Sequence, residues 1–131
     1  MKELLRSDLI NYKLIFFDFD GVIKDSNRIK TLAFQELFKE FGNKISSKVV
    51  SHHTQNMGIS RYDKITYYYK EFLNTSLNKN ELHNICEKFS KLVINQVINS
   101  DWIPGSLEFL RNNSFNHKFV IVTGTPEHEI K

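Results

Sequence analysis

Two short apolar runs, far apart in the sequence, limit most strongly how this chain can fold. They are Leu14 to Phe17 and Phe119 to Val122. Short continuous apolar runs are typical of buried strands in a parallel sheet. Neighbouring parallel strands need a crossover of only about a dozen residues. Most of the sequence between the two runs must therefore fold as an insertion.

The inserted sequence carries mainly helical patterns. Apolar residues at helical spacing predict one helix that begins at Ser26 or Asn27 and ends at Gly42, and a longer one from about Lys79 to Asn99. The segments around 48–55 and 61–73 are also predicted to be helical. A short helix should follow Pro104-Gly105 and serve as the crossover.

The patterns together predict an α/β fold with two parts. Residues 1–25 and 103–131 would form a partial parallel-sheet core, and residues 26–102 an inserted helical lobe.

Composition excludes several classes of protein. The net charge of +3 is too small to indicate nucleic-acid binding, and no apolar run is long enough to cross a membrane. The N-terminal segment does not resemble a secretory signal, and the single cysteine, Cys86, fits a reducing compartment. We expect a cytoplasmic protein whose partner is a small anionic molecule.

Two carboxylates at the end of the first run carry the strongest chemical signal. In the sequence LIFFDFDGVIKDS, Asp18 and Asp20 are two residues apart and precede Gly21. In an extended chain their side chains project the same way, about 6 to 7 Å apart. Two carboxylates at one place need a cation between them, and Mg²⁺ prefers such oxygen ligands. One carboxylate can then attack phosphorus while the other transfers a proton.

The end of the second run is suited to holding a phosphate group. Thr123 and Gly124 offer a hydroxyl and a backbone amide, and Thr125-Pro126-Glu127 is typical of a helix start.

On these residues the chain resembles the haloacid dehalogenase superfamily, in the subgroup with a helical cap. DFDGVIKDS matches the first motif of that family, and FVIVTGTP is similar to the second. The resemblance implies a partial Rossmann-like core with an inserted α-helical cap. It also implies Asp18 as nucleophile, Asp20 as general acid and base, and Thr123 with Gly124 as phosphate-binding residues. Asp18 and the backbone carbonyl of Asp20 would hold Mg²⁺.

The predicted cap also resembles the cap of sugar-phosphate mutases and phosphatases. The segment GISRYDKI places Arg61 where those proteins contact the far end of the substrate, with Ser60 and Lys64 as weaker candidates. A surface arginine at a helix start is the plain alternative. Lys30 stands where a mutase usually has histidine, which favours a phosphatase.

The resemblance stops before the family's third and fourth motifs, a lysine and an acidic pair. Neither has a counterpart before Lys131, so we expect an incomplete chain with little activity of its own. The leading hypothesis is an Mg²⁺-dependent phosphatase for a small phosphorylated metabolite. A phosphomutase, a dehalogenase, an inert fragment and a binding module are the alternatives. The sequence leaves the substrate and the oligomeric state open.

Overall fold

The computed structural model of the protein describes residues 8–112 and 116–130. Residues 1–7 of the N-terminal segment and Lys131 lie outside these ranges. After a short 3-10 helix at Asp8–Asn11, the elements follow in this order: β1 (Leu14–Phe17), α1 (Asn27–Leu37), α2 (Asn43–Gln55), α3 (Arg61–Leu73), α4 (Lys79–Ile98), α5 (Ser106–Arg111), β2 (Lys118–Ile121) and α6 (Glu127–Ile130). A second 3-10 helix, Lys39–Phe41, joins α1 to α2.

The chain forms two compact units. Residues up to Asp25 and from Asp101 to Thr123 form the sheet unit, and Ser26–Ser100 with the residues from Gly124 onward form the helical unit. The sequence patterns placed the second boundary after residue 102 and grouped residues 124–130 with the sheet. In the structure, residues 124–130 belong to the helical unit and their side chains contact its helices.

In the sheet unit, the two strands pair in parallel. Leu14 lies opposite Lys118, and Phe17 lies opposite Ile121. The mixed α/β architecture with a parallel sheet is therefore confirmed. One face of the pair packs against α5, because the rings of Phe17, Phe109 and Phe119 lie within 5.4 to 5.8 Å of one another.

The prediction that these strands are buried was wrong. On the face opposite α5, Leu14 is 43% exposed and Phe16 is 63% exposed. Val120 and Val122 on β2 and its extension are also exposed. An apolar run indicates a strand that can be covered on both faces, but among the described residues only one face of this pair is covered.

The two connections between the units run side by side within the sheet unit. Lys24 forms an antiparallel bridge with Trp102, and the Asp25 amide donates to the Asp101 carbonyl at 2.9 Å. The Lys24 ammonium lies 4.7 Å from the centre of the Trp102 ring, which is a cation–π contact. The residues where the chain leaves and re-enters the sheet unit are thus held together.

Helices α3 and α4 begin and end close to where the sequence predicts them, whereas α2 begins earlier, at Asn43. In α4, the Asn78 side chain accepts from the amides of Asn80 and Glu81, while Glu81 accepts from the Asn78 amide, which is a capping box. Helix α3 begins after Ser60 and ends at Asn74 in the left-handed conformation. The predicted first helix is shorter than expected, since it ends at Leu37 and the 3-10 helix carries the chain on to Gly42.

The helical unit has an aromatic core. The Phe34 ring lies 4.5 Å from Phe89 and 5.9 Å from Tyr68, and Phe38 lies 5.5 Å from Tyr68. Cys86 is buried in the same core, and burial raises the pKa of its thiol to about 11. The thiol therefore stays protonated near neutral pH and acts as a packing group. No helix of the described residues has the length and apolar character that a membrane span requires.

We expect the exposed face of β1 to drive association of the protein. Exposed apolar strand surface favours contact with other chains. Phe16→Glu should shift the protein toward monomer, as measured by light scattering over a range of concentrations. Leu32→Glu, at a 49% exposed site on α1, is the matched control and should have little effect. Equal effects of both variants would show that added charge, and not this face, controls association.

Candidate active site

The loop that follows β1 is a tight turn that carries both predicted catalytic carboxylates. The amides of Val22, Ile23 and Lys24 all donate to the Phe19 carbonyl, and the Gly21 amide donates to the Lys24 carbonyl at 2.8 Å. Gly21 has a φ of 75°, which a residue without a Cβ adopts at little cost. The turn places Asp18 before it and Asp20 within it.

The two carboxylates have different surroundings. Asp18 is exposed, and one of its oxygens accepts from the Phe19 amide at 2.7 Å. This bond orients the carboxylate and leaves its other oxygen available for chemistry. Asp20 is partly buried and forms a backbone bridge with Lys24.

The end of β2 lies beside the end of β1. The Val122 amide donates to the Phe17 carbonyl at 2.8 Å, so the pairing continues up to the residues next to Asp18 and Thr123. Because the carboxyl ends of parallel strands meet at the same edge, Asp18, Asp20 and Thr123 share one edge of the sheet unit.

The metal ligands predicted here are of the right chemical type but few. Carboxylate oxygens suit Mg²⁺, which commonly uses one or two carboxylates and keeps several waters. Within residues 8–112 and 116–130, no cluster of three or more acidic, histidine or cysteine side chains is placed to hold a metal. The carboxylates of Asp18 and Asp20 are thus of the chemical type that suits Mg²⁺.

Gly124 and Thr125 lie against the helical unit. A methyl group placed on Gly124 would be 3.7 Å from the Cα of Ser60, so its backbone runs close to the start of α3. The Thr125 hydroxyl accepts from the Lys30 ammonium at 2.6 Å. Of the two predicted phosphate-binding residues, Thr123 therefore belongs to the sheet unit and Gly124 to the helical unit.

Arg61, predicted to contact the substrate, is buried in the helical unit. Its side chain is 5% exposed, and its guanidinium makes bonds of 2.5 and 2.6 Å to the two carboxylate oxygens of Glu129. It also donates to the Ser90 hydroxyl at 2.9 Å and lies 4.6 Å from the Phe89 ring centre. No pattern in the sequence singles out Glu129, because a four-residue helix carries too little periodicity to assign a face.

Lys64, the weaker candidate, is also buried. Its ammonium lies 2.9 Å from His53 Nδ1 and is 5.8 Å from the centre of the Phe34 ring. Burial, assisted by the nearby positive charge of Lys30, lowers the pKa of Lys64 to about 8. Sequence patterns missed the contact with His53, since the two residues lie on different helices. Ser60 caps α3, where its hydroxyl accepts from the Asp63 amide at 3.3 Å.

The sequence matches a protein-family model described as haloacid dehalogenase-like hydrolase over residues 15–131. No curated protein sequence shows a significant match to the chain.

Solved structures with the same fold come from several bacteria. One, provisionally assigned as a beta-phosphoglucomutase from Bacteroides vulgatus, has a TM-score of 0.68 at 21% identity, over 92% of this chain and 49% of that one. A hydrolase from Pseudomonas syringae has a TM-score of 0.67 at 18% identity, covering 88% and 51% of the two chains. A provisionally assigned phosphoglycolate phosphatase from Lactobacillus plantarum has a TM-score of 0.61 at 14% identity, covering 91% and 53%. The chain thus spans about half the length of these structures.

The buried Lys64 should make stability depend on pH. Its pKa is about 8 when folded and has an ordinary value of 10.5, so the unfolded chain binds the proton more tightly. The free energy of unfolding should therefore rise with pH through this window, by about 1 kcal/mol between about pH 7.5 and about pH 9. Denaturant unfolding at several pH values measures this rise in the free energy of unfolding.

Two variants separate this effect from other titrations. Lys64→Met should lose the rise, whereas Lys70→Met, which changes an exposed lysine of the same helix, should keep it. An unchanged rise in Lys64→Met would show that another group is responsible.

Proposed function

Because the chain belongs to the haloacid dehalogenase-like hydrolases, we propose that it carries the nucleophile of an Mg²⁺-dependent phosphatase that acts on a small phosphorylated metabolite. The observation that carries this proposal is the parallel strand pair, with Asp18 and Asp20 after β1 and Thr123 after β2 at one edge. Family membership supports hydrolase chemistry, and the substrate class rests on the sequence resemblance.

The proposed reaction has two steps. An Asp18 carboxylate oxygen attacks phosphorus and forms an aspartyl-phosphate, while the bond from phosphorus to the ester oxygen breaks. Asp20 gives its proton to the departing oxygen. In the second step, water attacks the aspartyl-phosphate and gives a proton to Asp20, which releases inorganic phosphate and restores Asp18. The exposure of Asp18 suits its role, since a nucleophile must reach the substrate.

The remaining groups would hold the phosphoryl oxygens. The Thr123 hydroxyl and the Gly124 amide can donate to them, as residues at the end of a strand commonly do. Asp18 and the Asp20 carbonyl would hold Mg²⁺, which when bound offsets the negative charge of phosphate and carboxylate.

Hydrolysis is favoured over phosphoryl transfer between positions of a sugar. Lys30 stands where a mutase usually has histidine, and its ammonium bonds the Thr125 hydroxyl. A protonated lysine is a poorer proton acceptor near neutral pH than a histidine. Product analysis with a sugar monophosphate would separate free phosphate from an isomeric sugar phosphate.

Asp18→Asn should abolish turnover and leave the fold intact, because an amide is nearly the same shape but does not attack phosphorus. We expect kcat to fall by at least about a thousandfold in a form of the protein that turns over a phosphate ester with Mg²⁺. Asp101→Asn, an exposed acid in the same unit, should keep its activity. Circular dichroism checks the fold of both. Retention of more than a few per cent of kcat by Asp18→Asn would exclude Asp18 as the nucleophile.

The 131-residue chain alone should show only a trace of phosphatase activity. At the candidate site the described residues supply the carboxylates of Asp18 and Asp20, and they contain no cluster of three metal-binding side chains. Loss of one preorganised charge commonly costs about 10² to 10³ in rate. The test compares this chain with a full-length phosphatase of the same family as the positive control, using Mg²⁺ and a generic phosphate ester. Comparable turnover would mean that these residues suffice for the chemistry.

A further inference from the structure

The segment that follows β2 is attached to three helices of the helical unit. Thr125 accepts from Lys30 on α1, and Gly124 lies beside Ser60 at the start of α3. Glu129 on α6 binds Arg61 of α3 and Ser90 of α4. These contacts fix both ends of a seven-residue stretch, 124–130, that begins directly after Thr123.

The pair of Arg61 and Glu129 is the most strongly held of these contacts. Both side chains are almost fully buried, at 5% and 4% exposure, and the pairing is bidentate. The Ser90 hydroxyl accepts from Arg61 and donates to the Glu129 carboxylate, so it completes a closed network. Such geometry is required for a buried ion pair to persist, because each charge has lost its water.

A substrate anion would compete poorly for Arg61. It would have to displace a carboxylate of the same unit, and the displaced Glu129 would stay buried without its partner. A carboxylate held within the same molecule also has a high effective concentration. The guanidinium is therefore committed to Glu129.

We propose that Arg61 and Glu129 are positioning residues that fix Gly124, the predicted phosphate-binding residue that follows Thr123, by anchoring α6 within the helical unit. Arg61 then acts through Glu129 and does not contact the substrate. The proposal rests on the proposed function, in that Gly124 is taken to bind phosphate.

The test measures the binding of inorganic phosphate in the presence of Mg²⁺ to the full chain by calorimetry. The variants are Arg61→Met, Glu129→Gln, and both together. Glu127→Gln is the matched control, since it removes the same charge at an exposed position of the same helix. Each single change should weaken phosphate binding by roughly fivefold to tenfold, and the double variant should be no weaker than either, as expected for two residues that act as one. Glu127→Gln should bind as the unchanged protein does.

Other results would overturn the proposal. If Arg61→Met weakens binding and Glu129→Gln leaves it unchanged or strengthens it, Arg61 contacts the anion directly. If both single variants bind phosphate normally, the pair has no positioning role.

Hydrogen exchange of the amides in residues 124–130 separates failure of this proposal from failure of the proposed function. Arg61→Met and Glu129→Gln should both speed exchange there, whereas Glu127→Gln should not. If the unchanged protein binds no phosphate, the proposed function fails. Faster exchange in both variants would then still support the anchoring of α6, and unchanged exchange would overturn it. Circular dichroism identifies any variant that unfolds. If Arg61→Met unfolds, the results for Glu129→Gln, which is the smaller change, decide whether α6 is anchored in this way.

Discussion

The parallel pairing of β1 with β2 is the constraint on which the rest of the molecule depends. It joins two stretches separated by most of the chain, and it holds their carboxyl ends at one edge. That pairing brings Asp18 and Thr123 to the same edge although 104 residues lie between them in the sequence. It also forces the intervening chain to leave and return at neighbouring points. The helical unit is the consequence, since so long a connection must bury its own apolar residues.

The sequence predicts the elements well because their signals are local. Apolar spacing and caps identified α3 and α4 almost to the residue, and the two apolar runs identified the strands. The sequence placed Asp18 and Asp20 at the end of the first strand, and the structure shows that a turn closed by hydrogen bonds to the Phe19 carbonyl follows Asp18 there. Strand burial could not be predicted in the same way, because it depends on what covers each face and not on the composition of the strand.

The buried polar contacts of the helical unit could not be predicted from the sequence. The sequence indicates Arg61, and less strongly Lys64, as candidate substrate contacts, yet both side chains are buried. Their partners, Glu129 and His53, come from other elements, and each contact depends on how helices cross. A buried lysine needs a neighbouring acceptor. The burial of these side chains therefore depends on the tertiary packing that supplies their partners. Residues assigned to a substrate site from position alone can therefore serve the protein's own architecture.

The cation–π contact between Lys24 and Trp102 has an optical consequence. Trp102 is the single tryptophan among seventeen aromatic side chains, counting five tyrosines and eleven phenylalanines. Trp102 is 43% exposed, and its ring lies 4.7 Å from the ammonium group of Lys24. Light absorbed at the red edge of the protein spectrum is taken up by this indole alone. The wavelength and yield of Trp102 fluorescence therefore report on the surroundings of this one residue, without an added label.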